Sequence, residues 1–546
     1  MVNERTRSLQ DVFPVCCSLY PEVDPEGIDI STFPDLLSEN AHAVHRFPYL
    51  GDLARIELAS TVVRTSDISF SPPTDEPVIN PTLQVLPLQW KHLVNLLHDP
   101  ATVPEPAEEV ILVFRQPAGD ETTLAVADNH DLLALKIVVE GLVAEAVAQE
   151  AGVSVRDIRQ ILSRAASRGL ILEPVSRLVR PVDFPEGDFE GAAEFRRTAY
   201  FTLQWHITQK CDLACKHCYD RSDRKAVSLE QGLMVLDQLD RFTRINHVQA
   251  QVSFSGGNPL LHPDFLELYR ESARRGFLTA ILGNPMPDKI IRELIAIQMP
   301  EFYQISLEGL QEHNDMIRGR GSYARALGFL DSLREKGIYA MVMLTLTRAN
   351  MDQVLPLAEV LRDRTDLFTF NRLSMVGEGA SLACAEVSAY RDFLVEYTHA
   401  AENNPCLSFK ESLFNILQYE ENQPLRGGCT GFGCGAAFNF VSLLPDGEVH
   451  ACRKFPSCIG NIYQQSLTAI YDSAEATAYR RGSSGCEGCV IRPVCGGCLA
   501  VSDSSGQDIS RDVDPYCFID ESLKKGGQGT RGSQIGSDGS KDATSG

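Results

Sequence analysis

"KCDLACKHCYD", Lys210–Asp220, sets Cys211, Cys215 and Cys218 in one short stretch, directly after the alternating apolar segment "FTLQWHIT". Three thiols with no fourth beside them are an odd donor set. Disulfides cannot use an odd number cleanly, and tetrahedral zinc takes four ligands. Spacings of three and two residues let three thiolates converge on one face of a metal centre. A [4Fe–4S] cube held this way keeps one iron without a protein ligand, free to take a small molecule. On the residues alone, zinc completed by His206 or His217 stays open. So does plain burial, although three ionised thiols crowded together would repel one another.

Outward from the loop, the flanking text reads as repeated strand–helix units. "FTLQWHIT", "VQAQVSFSG", "LTAILG", "FYQISLEG", "AMVMLTLT" and "LFTFNRLSM" are strand candidates. "SLEQGLMVLDQLDRF", "PDFLELYRESARRG" and "SYARALGFLDSLREKG" are helices between them. Such alternation over residues 200–382 predicts an α/β domain with a parallel sheet, open or curled into a barrel, its reactive groups at the C-terminal strand ends.

The remaining chain falls into four parts. Residues 1–84 are Pro-rich and weakly periodic and read as a loosely structured leader of unknown role. Within 85–182, "LQWKHLVNLL" has helical spacing, "EVILVFRQ" alternates as a strand, and "HDLLALKIVVEGLVAEAVAQEAGVSVRDIRQILSRAASRGLILEP" reads as three helices and a closing strand. This is a winged-helix pattern. Arg156, Arg159 and Arg164 on its last helix are interrupted by Asp157, and the chain's formal net charge is -23; both argue against nucleic acid as the partner. Residues 524–546 are a polar, low-complexity tail expected to be disordered. No signal peptide and no membrane span are legible, so a cytoplasmic location is expected, where the 16 cysteines do not form a disulfide framework.

Residues 383–520 hold a second cysteine field: Cys429, Cys434, Cys452, Cys486, Cys489, Cys495, Cys498 and Cys517. Eight thiols at these spacings admit two four-thiolate centres, zinc or [4Fe–4S]. Cys16, Cys17, Cys384, Cys406 and Cys458 fall outside the pattern and read as ordinary thiols.

Taken together, these motifs resemble the radical S-adenosylmethionine (SAM) family with a C-terminal SPASM domain. "CDLACKHCYD" is similar to that family's cluster loop. "SFSGGNPLLHP" resembles its Gly-Gly-Glu-Pro motif, with Asn258 where Glu is usual. "LLPDGEVHAC", "GN" at Gly460–Asn461, the CxxCx5C run and "DPYC" resemble SPASM sequences. The resemblance implies a partial (β/α)6 barrel and a [4Fe–4S] cluster on Cys211, Cys215 and Cys218. It also implies SAM contacts at Gly256, Gly257, Asn258, Pro259, Ser306, Glu308 and Arg318. Two auxiliary [4Fe–4S] clusters would use Cys429, Cys434, Cys452 and Cys498, and Cys486, Cys489, Cys495 and Cys517. Gly283–Asn284 and Asn371–Arg372, also at strand ends, are further pocket candidates.

By the same resemblance, reductive cleavage of SAM would give a 5′-deoxyadenosyl radical that abstracts hydrogen from an unactivated carbon. An external donor such as flavodoxin or ferredoxin would supply the electron. The winged-helix-like domain would capture the leader of a ribosomally made precursor peptide by strand addition. Sulfatase-maturating relatives carry Asp directly after the third auxiliary cysteine; Arg453 stands there instead. The "GGNP" variant with an upstream leader-binding domain most resembles maturases of the thio(seleno)oxazole, or selenobiotic, peptide group, acting at Cys or selenocysteine. The competing readings are a radical SAM enzyme acting on a small molecule, and a non-catalytic zinc-ribbon or DNA-binding protein.

Overall fold

The computed structural model describes residues 8–22, 28–119 and 121–520. The expected disordered tail, 524–546, lies outside them. The chain divides into two compact units, one of residues 1–175 with 273–277, the other of 176–272 with 278–546. Among the described residues no helix is long and apolar enough to cross a membrane.

In the first unit, strands β1 (Val78–Ile79) and β5 (Ile171–Leu172) form an antiparallel pair. Strands β2 (Gln84–Lys91), β3 (Glu105–Arg115) and β4 (Thr122–Val126) form a separate antiparallel sheet in the order β2-β3-β4. Helices Asn129–Glu140, Ala144–Ala151 and Val155–Ser167 follow, as the sequence predicts. Capping boxes, Asp128 with Asp131 and Ser154 with Asp157, start the first and third of them. One expectation fails at "LQWKHLVNLL": Leu88–Lys91 belong to β2, His92 takes φ 67°, and only then does a helix run, Leu93–His98.

The described part of residues 1–84 is not loose. Helices Phe33–Glu39, Ala41–Arg46 and Leu50–Arg64 precede the sheet, and Phe13, Phe33, Leu53 and Ile56 share a core with Leu88, Ile111 and Val113. Two buried carboxylates hide the pattern from a sequence reading. Asp52 accepts the Gln89 backbone N–H at 2.7 Å, and Glu57 accepts those of Val15 and Cys16 at 2.7 and 3.1 Å. Polar residues facing inward break the single apolar stripe that marks a surface helix.

The second unit is built on a nine-stranded mixed sheet. Strands β6 (Tyr200–Thr208), β7 (Gln249–Gly256), β8 (Leu278–Leu282), β9 (Tyr303–Ser306), β10 (Ala340–Leu346) and β11 (Leu367–Arg372) run parallel in sequential order. These are the six strands the sequence predicts. Their order has no reversal, which sets it apart from a doubly wound sheet and matches a partial barrel. Strand β12 (Phe440–Leu443) pairs parallel to β6, and β13 (Glu448–His450) and β14 (Cys458–Asn461) continue the sheet antiparallel. The cysteine-rich region is thus joined to the barrel through a shared sheet.

Candidate functional site

The β6 strand ends at Thr208, and the three-cysteine loop follows over the C-terminal ends of the parallel strands. Gly256 and Gly257, closing β7, bring the two segments together. Gly256 has φ +126°, and a Cβ there would meet the Thr208 carbonyl oxygen at 2.1 Å. A Cβ on Gly257 would lie 2.4 Å from the Lys210 carbonyl oxygen. Backbone hydrogen bonds join the two segments as well: the N–H of Gly257 donates to the Thr208 carbonyl and that of Asn258 to the Lys210 carbonyl, both at 2.8 Å. The glycines therefore hold the cysteine loop in place as well as lining the cavity beside it.

That cavity has a volume of about 420 Å³ and is lined by Cys211, Cys215 and Cys218, with Gly256, Gly257, Ser306 and Arg318 among the other walls. Its lining contains no fourth cysteine among the described residues. Gly283, Asn284, Asn371 and Arg372 also border it. Asn258, Pro259 and Glu308 stand outside the lining. Asn258, fully buried, donates from Nδ2 to Asp212 at 3.1 Å and faces the Met286 sulfur at 3.3 Å. Pro259 opens a short 3-10 turn, Pro259–Leu261.

Behind the wall runs a chain of polar contacts supplied by separate strand ends. Glu308, following β9, pairs with Arg318 at 3.2 Å and His217 at 3.3 Å, and accepts the Thr345 N–H at 2.9 Å. Arg318 also donates to Asn284 Oδ1 at 3.1 Å. Asn284 Nδ2 in turn donates to Asp212 at 2.7 Å and reaches the Cys211 sulfur at 3.4 Å. Burial, opposed by Glu308, lowers the pKa of His217. On the cavity's other side, burial and nearby Arg453 pull His206 down to about 3, leaving a neutral ring 3.0 Å from the Tyr219 hydroxyl. Arg453 lies over the Tyr219 ring, 5.4 Å from its centroid. The residues of β6 give no hint of this last arrangement, because its partners, Tyr219 and Arg453, come from two other segments.

Two further voids gather the second cysteine field. One is lined by Cys429, Cys434, Cys452 and Cys498; the other by Cys486, Cys489, Cys495 and Cys517. Burial is the main reason that Cys452 is pushed up to about 12 and Cys489 to about 11, with neighbouring thiols adding to it. As free thiols these would stay protonated, so their use as donors requires a cation to hold the thiolates. Among the described residues no group of three or more His, Cys, Asp or Glu converges closely enough to hold a single metal ion. Larger groups are a different matter: three thiols at the large cavity and two sets of four at the smaller voids suit iron–sulfur cubes.

One buried ionic hub ties both voids to the barrel. Arg372, ending β11, donates to Glu411 at 3.0 and 3.1 Å and to Asp514 at 2.7 Å through two nitrogens. Asp514 accepts the Cys498 N–H at 2.8 Å and lies three residues before Cys517. Arg180 makes a second anchor, donating to the carbonyls of Phe432 and Cys434 at 2.7 and 2.8 Å. Neither connection is visible in the cysteine spacing.

The winged-helix-like segment offers little free positive charge. Arg159 pairs with Glu145 at 3.0 Å and Arg164 with Asp128 at 2.5 Å, while Asp157 completes its helix cap. A phosphate-binding face needs cations that are not already matched.

Comparison with known proteins agrees with these arrangements. The sequence model of the Radical SAM superfamily matches residues 205–361, and that of the SPASM iron–sulfur cluster-binding domain matches 434–498. The chain is 27% identical over 328 residues to the antilisterial bacteriocin subtilosin biosynthesis protein AlbA of Bacillus subtilis, covering 56% of this chain and 68% of that one. It is 24% identical over 346 residues to the AdoMet-dependent heme synthase of Methanosarcina barkeri, covering 58% and 95%. Among solved structures, Streptococcus suis SuiB bound to precursor peptide SuiA is similar with a TM-score of 0.48 and 16% identity, over 75% of this chain and 96% of that one.

Proposed function

Because the chain carries a radical SAM domain followed by a SPASM domain, we propose that it reductively cleaves SAM and oxidatively modifies a ribosomally synthesised peptide. The observation that carries the first half is the open cavity lined by Cys211, Cys215 and Cys218 and no fourth cysteine. Cys211, Cys215 and Cys218 would hold a [4Fe–4S] cluster, which would supply the electron for reductive cleavage of SAM to methionine and a 5′-deoxyadenosyl radical.

The chain's own residues bind, orient and shield. Gly256 and Gly257 fix the cysteine loop and leave room for the methionine moiety. Arg318, held by Glu308 and Asn284, presents a guanidinium for the SAM carboxylate. Ser306 adds a polar contact at the end of β9. The strand ends set which substrate hydrogen lies within reach. Auxiliary [4Fe–4S] clusters on the two four-cysteine sets, fully ligated, suit the role of electron acceptors, with flavodoxin or ferredoxin as the external donor.

The peptide half rests on two supports. AlbA is a bacteriocin biosynthesis protein. The first unit, with three strands followed by three helices, leaves β2 and β4 as sheet edges on which a leader strand can add. Arg453 in place of an acidic proton acceptor argues against sulfatase maturation, and the "GGNP" sequence favours a target at Cys or selenocysteine. A second reading, small-molecule chemistry, draws on the heme synthase; that enzyme is matched over nearly all its length by 58% of this chain, so the rest of this chain has no counterpart in it.

Anaerobic reconstitution tests the proposal. The expected product is a brown protein with about twelve irons per chain, releasing 5′-deoxyadenosine when reduced with SAM. Cys215→Ala should abolish that release and leave about eight irons. Continued SAM cleavage by the variant would contradict the cluster assignment.

A further inference from the structure

In an acidic chain, the cations around the large cavity are nearly all matched by carboxylates. Arg318 pairs with Glu308, Arg221 with Glu378 at 3.7 Å, and Arg372 with Glu411 and Asp514. Two neighbours on the loop after Cys452 differ. Arg453 and Lys454 both line the cavity, and among the described residues neither has a carboxylate partner. Arg453 touches only neutral groups: Ser255 Oγ at 3.5 Å, the Tyr219 ring, and the Gln204 amide oxygen at 3.0–3.2 Å once that amide is oriented to accept. Lys454 donates to the Arg372 carbonyl at 3.0 Å.

The nearest rival explanation is charge balance for the adjoining thiols. A third cation already stands where that task lies. Lys410 borders the void of Cys429, Cys434, Cys452 and Cys498 and donates to Asn371 Oδ1 at 3.2 Å. Lys454 borders that void as well as the large cavity, whereas Arg453 lines the large cavity and not the void.

We propose that Arg453 and Lys454 form an anion-recognition corner that binds a carboxylate of the substrate. The peptide brought to this site therefore presents an acidic side chain or a free C-terminal carboxylate near the carbon to be attacked. This rests on the peptide-modifying reading above and narrows its substrate class. A bidentate guanidinium beside an ammonium discriminates between an acid and its amide.

The test uses the full-length, reconstituted, SAM-loaded and unreduced protein, with three probes titrated at low ionic strength. These are acetyl-Gly-Gly-Glu-Gly-Gly-amide, its Gln counterpart, and the Gln peptide with a free C-terminus. One acidic probe should bind roughly ten-fold tighter than the neutral one, and which of them does so identifies the source of the carboxylate. R453Q and K454Q should each shrink that ratio to about three-fold or less, while R364Q, at the exposed pair with Asp331, should leave it unchanged. Equal binding, or none, by acidic and neutral probes overturns the proposal. So does a preference that survives both substitutions, one seen only without SAM, or variants that alter iron content but not the ratio. Release of 5′-deoxyadenosine on reducing the same native sample is read separately. Its absence sinks the SAM-cleaving reading, whatever the acid-to-neutral ratio.

Discussion

The two cysteine regions solve one problem in opposite ways. Cys211, Cys215 and Cys218 lie within a single loop and face an open cavity of about 420 Å³. The eight C-terminal thiols are interleaved along the chain: one smaller void draws its four from Cys429 to Cys498, and the other joins Cys486, Cys489 and Cys495 to the later Cys517. A local set needs only its loop to be held, which two glycines do by close backbone approach. A non-local set needs the surrounding fold to be finished first. The open site is therefore positioned by packing geometry, and the closed ones by buried charge.

The largest effect should come from breaking that charge. Arg372→Met removes the cation and strands Glu411 and Asp514, both buried, without their partner. Loss of one member of a buried ion-pair group costs about 3–5 kcal/mol. Thermal unfolding should show that loss, and iron content should fall from about twelve toward about four per chain as the C-terminal sets disperse. The comparison breaks if iron on the three-cysteine loop is lost first.

Gly257→Ala should do the reverse. The added methyl meets the Lys210 and Gln209 carbonyl oxygens at 2.4 and 2.6 Å, so the cysteine loop must shift. A displacement near 1 Å lowers reactivity by about 100-fold. Release of 5′-deoxyadenosine should drop by that order while about eight irons remain on the C-terminal sets. Unchanged release would show that the loop does not depend on this approach.

What was legible in the sequence follows the same division. The six strands could be read because each is a short apolar run between amphipathic helices, and the three-cysteine loop because its chemistry is contiguous. The helix Leu50–Arg64 is not legible in the sequence because Asp52 and Glu57 point inward to bind backbone N–H groups. At Leu88–Lys91, part of β2, the apolar spacing fits the helical period as well as the strand's. Residues Glu308, Asn284 and Asp212 are linked only because strand ends converge, and Arg453 reaches the cavity, and Lys410 the neighbouring void, through loops whose course no local pattern dictates. Cysteine spacing could count donors in the C-terminal field, but not show that Arg372 and Asp514 hold the two sets together.

Asn258 gives the finest test of how the open site is tuned. Its Nδ2 donates to the Asp212 carboxylate at 3.1 Å, and Asp212 also accepts from Asn284 at 2.7 Å. The Glu expected from the family motif would set a second carboxylate against the first in a fully buried position. Like charges there cost more than the hydrogen bond they replace. Asn258→Glu should therefore destabilise the protein by about 1–3 kcal/mol, even though it restores the commoner sequence. Combining it with Asp212→Asn, which turns the acceptor into a possible donor, should recover most of that loss in a thermal unfolding experiment. A single variant as stable as the parent would mean that Asp212 does not dictate the residue at 258, and that the departure from Glu has its cause inside the cavity instead.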